Sequence, residues 1–389
     1  METKTPDHVD IQTIVRKYGP AYREKFQDKI PIQHQKTMYD ICHCRTETLG
    51  GHLDYCDNCG YSHFSYHSCY NRSCPQCQGI HSKKWLHKQT NRLLPVPYFH
   101  IVFTVPHQVA ILIRKNPVIL LNVLFDAVNI SLKTLIENSK YGGGIPAAMA
   151  VLHTWNKKLL YHPHIHCLVP GIIIYKTSYG TLRFKFTKKN FFAPVRVLSK
   201  IFRAVFVRLA RKKIPRLSIP QSVFKNDWVV YSRPTYKNAK KVLQYLSLYI
   251  YRTAISNRRI ILEQNSKITF TYHDSTQHRQ HYITLHAMEF LRRFLQHTLP
   301  AKFHKVRFFG FFSPSYKTIY SSLRMELGKL NPDESLNSDS HSLNFISHYP
   351  HICPHCKRGI LRTIGHVYFR KKIPFYLRPP PYEKIKSSS

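Results

Sequence analysis

Tyr161-His162-Pro163-His164-Ile165-His166-Cys167-Leu168-Val169 is the stretch that decides how this chain folds and what it holds. Its aromatic, β-branched and apolar residues favour extended chain. Side chains of a strand alternate between faces, so His164 and His166 share one face while Ile165 turns into a core. Positions two apart along a strand stand about 7 Å apart, and two imidazoles at that spacing can hold one divalent ion. His162 is in register with them, but Pro163 interrupts the ladder beside it.

The flanks extend this pattern. Residues 145–155 read as a strand joined to it near Lys157-Lys158, and that strand carries His153. His153 is the first candidate for a third metal ligand, with His162, Asp227, Gln244 and His273 as alternatives. Residues 98–104 (YFHIVFT) alternate as a strand, and the strand begun at Tyr161 runs to about residue 175. Residues 228–232, 260–272 and 282–285 read as further strands. Helical periodicity covers residues 110–137, 198–211, 236–251 and 287–297. The tail after about residue 331 is polar, then basic and proline-rich. Segregated strands and helices of this kind predict an α+β fold.

Charge narrows the partner. The 389 residues hold 59 Lys+Arg against 20 Asp+Glu, a net charge of +39. Such a field attracts polyanions, nucleic acid first. Residues 138–225 contain 17 Lys and Arg and no Asp or Glu. A two-metal site built on several carboxylates is therefore excluded from this stretch, and His, Tyr, Lys and Arg remain as its chemistry. Lys157, Lys158, Lys188 and Lys189, interleaved with Phe184, Phe186, Phe191 and Phe192, suit backbone tracking and base stacking. No run reaches the ~18–20 uninterrupted apolar residues of a membrane span. The closest, residues 118–136, is broken by Asn122, Asp126, Asn129 and Lys133. No signal-peptide core opens the chain, so a cytoplasmic protein with no membrane partner is expected, its cysteines thiols or metal ligands.

Seven of the ten cysteines fall between Cys42 and Cys77. Cys56/Cys59 and Cys74/Cys77 are two C-x-x-C units separated by 14 residues, a spacing that predicts one tetrahedral Zn²⁺ site. Cys44, His52 and Cys69 are left for a second site or for alternative ligation, and Cys42 is not expected to ligate. Zn²⁺ would fold a segment too small to fold alone.

Tyr245 and Tyr249 stand at i and i+4 of the helix expected over residues 236–251 and share one face. A tyrosine phenolate can attack a phosphodiester and retain the 5′ end as a phosphotyrosine. Taken together, these elements resemble the bacterial rolling-circle insertion-sequence transposases with a two-tyrosine HUH nuclease domain. The resemblance runs from about residue 22 to about residue 362. It is carried by LGGHLDYCDNCG and CYNRSCPQCQG (residues 49–60 and 69–79), LLPVPYFHIVFTVPH (93–107) and VLHTWNKKLLYHPHIHCLVPG (151–171). DWVVYSRP (227–234), VLQYLSLYIYRTAISNRRI (242–260), EFLRRFLQHTLPAKFHKVRFFGF (289–311) and CPHC (353–356) continue it.

The resemblance implies an HUH-type antiparallel-sheet nuclease core with flanking helices over residues 93–310. A zinc-binding, DNA-binding module precedes it over residues 1–92, and a C-terminal region follows over residues 311–389. It implies His164 and His166 as the ligand pair for Mg²⁺ or Mn²⁺, and Tyr245 and Tyr249 as nucleophiles. The substrate it implies is single-stranded or locally melted DNA, with no nucleotide cofactor. Arg252 and Asn257, just after the tyrosines, are candidates to position phosphate. The family often has His near the position of Tyr251, and Gly where this chain has Lys357 after the C-terminal cysteine pair. Cys353 and Cys356 would need two more ligands, with His348, His351, His355 and His366 nearby in sequence. A rolling-circle replication initiator or relaxase would use the same chemistry. A non-catalytic zinc-containing nucleic-acid-binding protein is the reading from a different class.

Overall fold

A computed structural model of the chain describes residues 9–90, 92–188, 192–235, 254–274, 279–330 and 351–368. The N-terminal part carries helices α1 (Ile11–Phe26) and α2 (Ile32–His43), strands β1 (Gly51–Cys56) and β2 (Ser62–Tyr66), and α3 (Gln78–Thr90). Then come β3 (Tyr98–Thr104), α4 (His107–Lys115), α5 (Pro117–Glu137), β4 (Ala147–Trp155) and β5 (Tyr161–Pro170). β6 (Ile172–Lys176) and β7 (Leu182–Phe186) form a hairpin, followed by α6 (Val195–Lys213) and β8 (Val230–Pro234). β9 (Ile260–Gln264), β10 (Lys267–Asp274) and β11 (Arg279–His286) precede α7 (Ala287–Leu295). β12 (Val306–Gly310), α8 (Lys317–Leu330), β13 (His351–Ile352) and β14 (Ile360–Val367) complete the order. The fold is α+β, as the strand and helix patterning implies.

The central sheet runs β12-β4-β5-β3-β8, antiparallel throughout. Alternation along its strands gives it two unlike faces. One carries Phe99, Ile101, Phe103, Ala148, Ala150, Leu152, Ile165 and Val169, which share a core with Leu124, Phe125 and Val128 of α5 and Phe202 and Phe206 of α6. The other face is apolar at one end only. There Tyr98, Met149 and Leu168 pack with Phe311, Phe312 and with Leu323 and Leu327 of α8. Its opposite end bears His153, His164 and His166 instead, so this face is only half covered by apolar packing.

Three expected elements break where the backbone requires it. The helix expected over residues 110–137 is two helices, because Pro117 lacks an N–H and clashes with a preceding turn. It takes instead the first position of α5, where that N–H is not needed. The strand expected over residues 260–272 folds back at Asn265 and Ser266, both left-handed (φ 50 and 58), as a two-residue hairpin turn requires. The long strand from Tyr161 is interrupted at Gly171, between β5 and β6. α5 is apolar and long enough, by length and composition, to cross a membrane, but 61% of that window is buried inside the fold. Its apolarity is that of a core helix.

The β11-β10-β9 sheet closes a second core. Ile14 of α1, Met38 of α2, Phe270 of β10 and Phe290 of α7 meet there, together with Cys44, Cys74 and Cys77. A further sheet, β13-β14-β1-β2, joins the two ends of the chain. β14 lies antiparallel to β1, with Cys56 opposite Leu361.

Candidate metal centres and nucleic-acid cleft

The ten cysteines are all unpaired by disulfides, and eight of them gather in two sets of four. Cys44, Cys69, Cys74 and Cys77 form one, and Cys56, Cys59, Cys353 and Cys356 the other, each with ligand atoms within 4.8 Å of one another. A tetrahedral ion with Zn–S bonds of about 2.3 Å sets its sulfurs about 3.8 Å apart. The sulfurs of Cys69 and Cys77 are 3.8 Å apart, those of Cys56 and Cys356 3.8 Å, and those of Cys59 and Cys353 3.7 Å. Both sets therefore fit one zinc ion.

The two C-x-x-C units expected to share an ion are thus divided. Spacing fixes the turn within each pair but not which other pair it meets, and the β1–β14 pairing brings Cys353/Cys356 to Cys56/Cys59. Cys56 and Cys59 supply the two further ligands that Cys353 and Cys356 need, so His355 and His366 are not in this set, and His348 lies outside the described residues. His52, a candidate ligand, belongs to neither set. Its Nε2 lies 3.3 Å from Asp54 Oδ2 and its Nδ1 3.5 Å from His67 Nδ1. Cys42 also stands apart from both sets.

Each knuckle has its own backbone demand. The Gly359 N–H points at Cys356 Sγ from 3.2 Å and leads the effects that draw this thiol down to about 5. A Cβ on Gly359 would stand 2.4 Å from Cys56 Sγ, so this glycine admits the neighbouring thiolate. Gly60 and Lys357 each follow the second cysteine of a pair, at φ 73 and 59. Glycine is at ease there and lysine is not. Lys357→Gly is expected to stabilise the C-terminal knuckle by about 1 kcal/mol, read as slower zinc loss to a chelator. An equal or faster loss would contradict this.

On the open half of the central sheet three strands bring histidines together. β4 and β5 pair so that His153 lies opposite His164. The ring centroids of His153 and His166 are 4.2 Å apart, and those of His164 and His166 4.9 Å. One nitrogen from each of the three lies within 4.8 Å of the others. Burial holds His164 down at about 4, His166 at about 2, and His153 well below its usual value. At neutral pH all three rings are uncharged and offer lone pairs. His164 Nδ1 sits 2.6 Å from the His162 carbonyl. An Nδ1–H donated there leaves Nε2 as the ligand atom.

Sequence reasoning missed His100. It lies on β3, two residues from Val102, which pairs with His166, and its ring stacks on that of His166 with nitrogens 2.8 Å apart (His100 Nε2, His166 Nδ1). Its alternation within YFHIVFT was visible, but that it meets His166 follows only from the β3–β5 register.

These residues open onto a cleft of about 850 Å³, walled by Trp155, Lys157, Lys158, His162, Tyr272 and His273. Arg259 braces it, its Nε donating to the Thr271 carbonyl at 2.6 Å and its Nη2 to the Lys157 carbonyl at 2.7 Å. His162 and His273, alternative third ligands, are on the wall but outside the three-histidine group. Asp227 is exposed before β8. Asn257 Oδ1 accepts the Ile11 N–H at 3.2 Å, which ties its side chain to the start of α1. Tyr245, Tyr249, Arg252 and Gln244, with the helix expected around them, lie outside the described residues.

Residues 147–318 match a family described as "Putative transposase", and residues 14–105 match the "Transposase zinc-binding domain" of IS91 type. A protein from Sinorhizobium fredii named "Putative transposase y4qJ" is 35% identical over 79% of this chain and 81% of its own length. The "Transposase for insertion sequence element IS801" of Pseudomonas savastanoi pv. phaseolicola is 28% identical over 71% of this chain and 69% of its own. A solved guanylyltransferase-like protein bound to ATP aligns with a TM-score of 0.17 and 12% identity over 57% of this chain and 99% of its own, too slight a likeness to carry any argument.

Proposed function

Because the chain belongs to the IS91-type family of insertion-sequence transposases, we propose that it nicks and rejoins single-stranded DNA at the element's ends through a tyrosine nucleophile. The observation that carries this reading is the convergence of His153, His164 and His166 at the floor of a basic-walled cleft. Three neutral imidazole nitrogens suit one divalent ion, and this donor set favours Mn²⁺ over the harder Mg²⁺. Such an ion would polarise the scissile phosphate and stabilise the charge that develops on it.

The protein's own groups do the rest. Lys157 and Lys158 attract the flanking phosphates into the cleft. The phenolate of Tyr245 or Tyr249 attacks phosphorus, the bond from phosphorus to the 3′ oxygen breaks, and that oxygen takes up a proton as a free 3′-OH. The 5′ phosphate stays esterified to tyrosine, so the bond energy is kept and no nucleotide cofactor is needed. Attack by another 3′-OH reverses the step and joins strands, which permits rolling-circle transposition. The chain leaves β8 at Thr235, which is bonded to the Tyr98 carbonyl, and its described course resumes at Ala254 on the cleft wall. The tyrosines fall within that connection. Zinc at the two thiolate sets is structural, since four thiolates leave no open position.

His100 acts by positioning. With the proton on His166 Nδ1 donated to His100 Nε2, His166 Nε2 is left as a ligand. His100→Leu is expected to weaken Mn²⁺ binding roughly 10- to 100-fold and to leave zinc content unchanged, by titration calorimetry and metal analysis. Unaltered Mn²⁺ affinity would remove this role. The whole reading is tested by incubating the protein with labelled single-stranded DNA bearing an element end, with Mn²⁺ or Mg²⁺. A covalent protein–DNA adduct that EDTA prevents is expected; no adduct on any end sequence would favour binding without catalysis.

A further inference from the structure

A second cavity, of about 300 Å³, shares Trp155 and Ala254 as lining with the histidine cleft. It lies between the first thiolate knuckle, α2 and the chain leading into β12. Four cations line it, Lys36, Arg72, Lys302 and Lys305, against one carboxylate, Asp40. Asp40 is held by Lys36 at 2.8 Å and by Asn71 Nδ2 at 2.8 Å. Arg72 donates from Nη2 to the Pro300 carbonyl at 3.2 Å and from Nη1 to the Phe303 carbonyl. The zinc knuckle thereby fixes the loop that carries Lys302.

Lys305 lines this cavity beside Trp155, the ring that lines both. Its ammonium lies 5.5 Å from the Trp155 ring centroid, and among the described residues it has no ion pair with a carboxylate. Burial draws this amine down to about 7, so a nearby anion would restore its charge. Thr298 Oγ1, on the same lining, is buried and has no hydrogen-bond partner among the described residues. Tyr70 completes the rim. It is held at φ 53, a backbone region that side chains rarely adopt, with 67% of its surface exposed.

We propose that this cavity is a second DNA subsite that takes one nucleotide of the single strand crossing the histidine cleft, its phosphate on Lys305 and Lys302 and its base against Tyr70. The proposal rests on the strand-cleavage reading. It explains why cations and an exposed aromatic are concentrated on a cavity too small for a duplex. It also assigns the first zinc knuckle a direct part in holding the substrate. Base stacking on one tyrosine and a phosphate on a lysine pair need no sequence readout, so the subsite would position the strand rather than select it.

The test uses the full chain, zinc-loaded and with magnesium and manganese withheld so that no cleavage occurs. A fluorescein-labelled 20-mer single strand is titrated by anisotropy at several salt concentrations. Lys305→Gln is expected to weaken binding roughly 5-fold and to make the salt slope shallower by about 0.7. Tyr70→Ala is expected to weaken it at least ~5-fold with the slope unchanged. Lys302→Gln, on the exposed rim, gives the same slope change without touching the interior, and keeps the test sound if Lys305→Gln misfolds. Lys200→Gln on α6, far from either cavity, should change affinity less than ~2-fold. Equal losses for Lys200→Gln and the cavity variants would overturn the subsite, as would wild-type affinity and slope in Lys302→Gln and Tyr70→Ala. Displacement of the strand by dTMP at the same phosphate concentration would assign the cavity to a free nucleotide and overturn it too. A wild-type chain that binds no single strand would overturn the cleavage reading along with this one.

Discussion

Replacing His164 or His166 by alanine should lower formation of the covalent protein–DNA adduct by at least about 10³-fold. Each substitution removes one of three nitrogens that lie within 4.8 Å of one another, and a two-nitrogen remnant holds a divalent ion poorly. His166 is buried at 6% exposure and stacked on His100, so its loss also removes that packing. Because the three ligands act as a unit, the double substitution should be little worse than either single one. The variants should keep both zinc ions, since neither thiolate set touches β5. Gel-resolved adduct yield, with zinc content measured alongside, checks this. Adduct formation at wild-type rates in His164→Ala would show that the histidine cluster is not the catalytic metal site.

Removing Cys353 and Cys356 together should lower zinc from two ions per chain to one. Structural zinc in small peptide sites contributes about 10–16 kcal/mol of apparent binding free energy, and here part of it ties β14 to β1. The Arg362–Asp57 pair at 3.3 Å joins the same two segments but is too exposed to replace it. Limited proteolysis after Cys353→Ser/Cys356→Ser should therefore cut the C-terminal segment early while the Cys44/Cys69/Cys74/Cys77 core stays protected. Retention of two zinc ions per chain would show that Cys56 and Cys59 find their partners elsewhere, as the bare C-x-x-C spacing suggests.

What the residues alone revealed divides along physical lines. Local rules sufficed wherever a period or a spacing carried the information. Alternation placed His164 and His166 on one face, and the strand before them supplied His153, which antiparallel pairing sets opposite His164. The scarcity of acidic residues pointed to an imidazole site. Long-range pairing was not legible. Nothing near Cys56 announces that its partners lie about 300 positions away at Cys353 and Cys356, and His52 imitates a ligand because it sits between cysteines. His100 was hidden for the same reason, since β3 is linked to β5 only through the sheet register. The second cavity needs three distant segments at once. Breaks in elements, by contrast, were encoded locally at Pro117 and at Asn265-Ser266, where backbone preference overrides an otherwise continuous apolar pattern.

On the proposed mechanism, a tyrosine of this chain takes up the 5′ end of a cleaved strand beside the histidine cluster. Digestion of the adduct formed with Mn²⁺, followed by mass spectrometry of the modified peptide, tests it most directly. A 5′-phosphodeoxynucleotide on Tyr245 or Tyr249 is the expected result. Cleaved DNA with no protein-bound nucleotide, or a nucleotide on any other residue, would contradict the account.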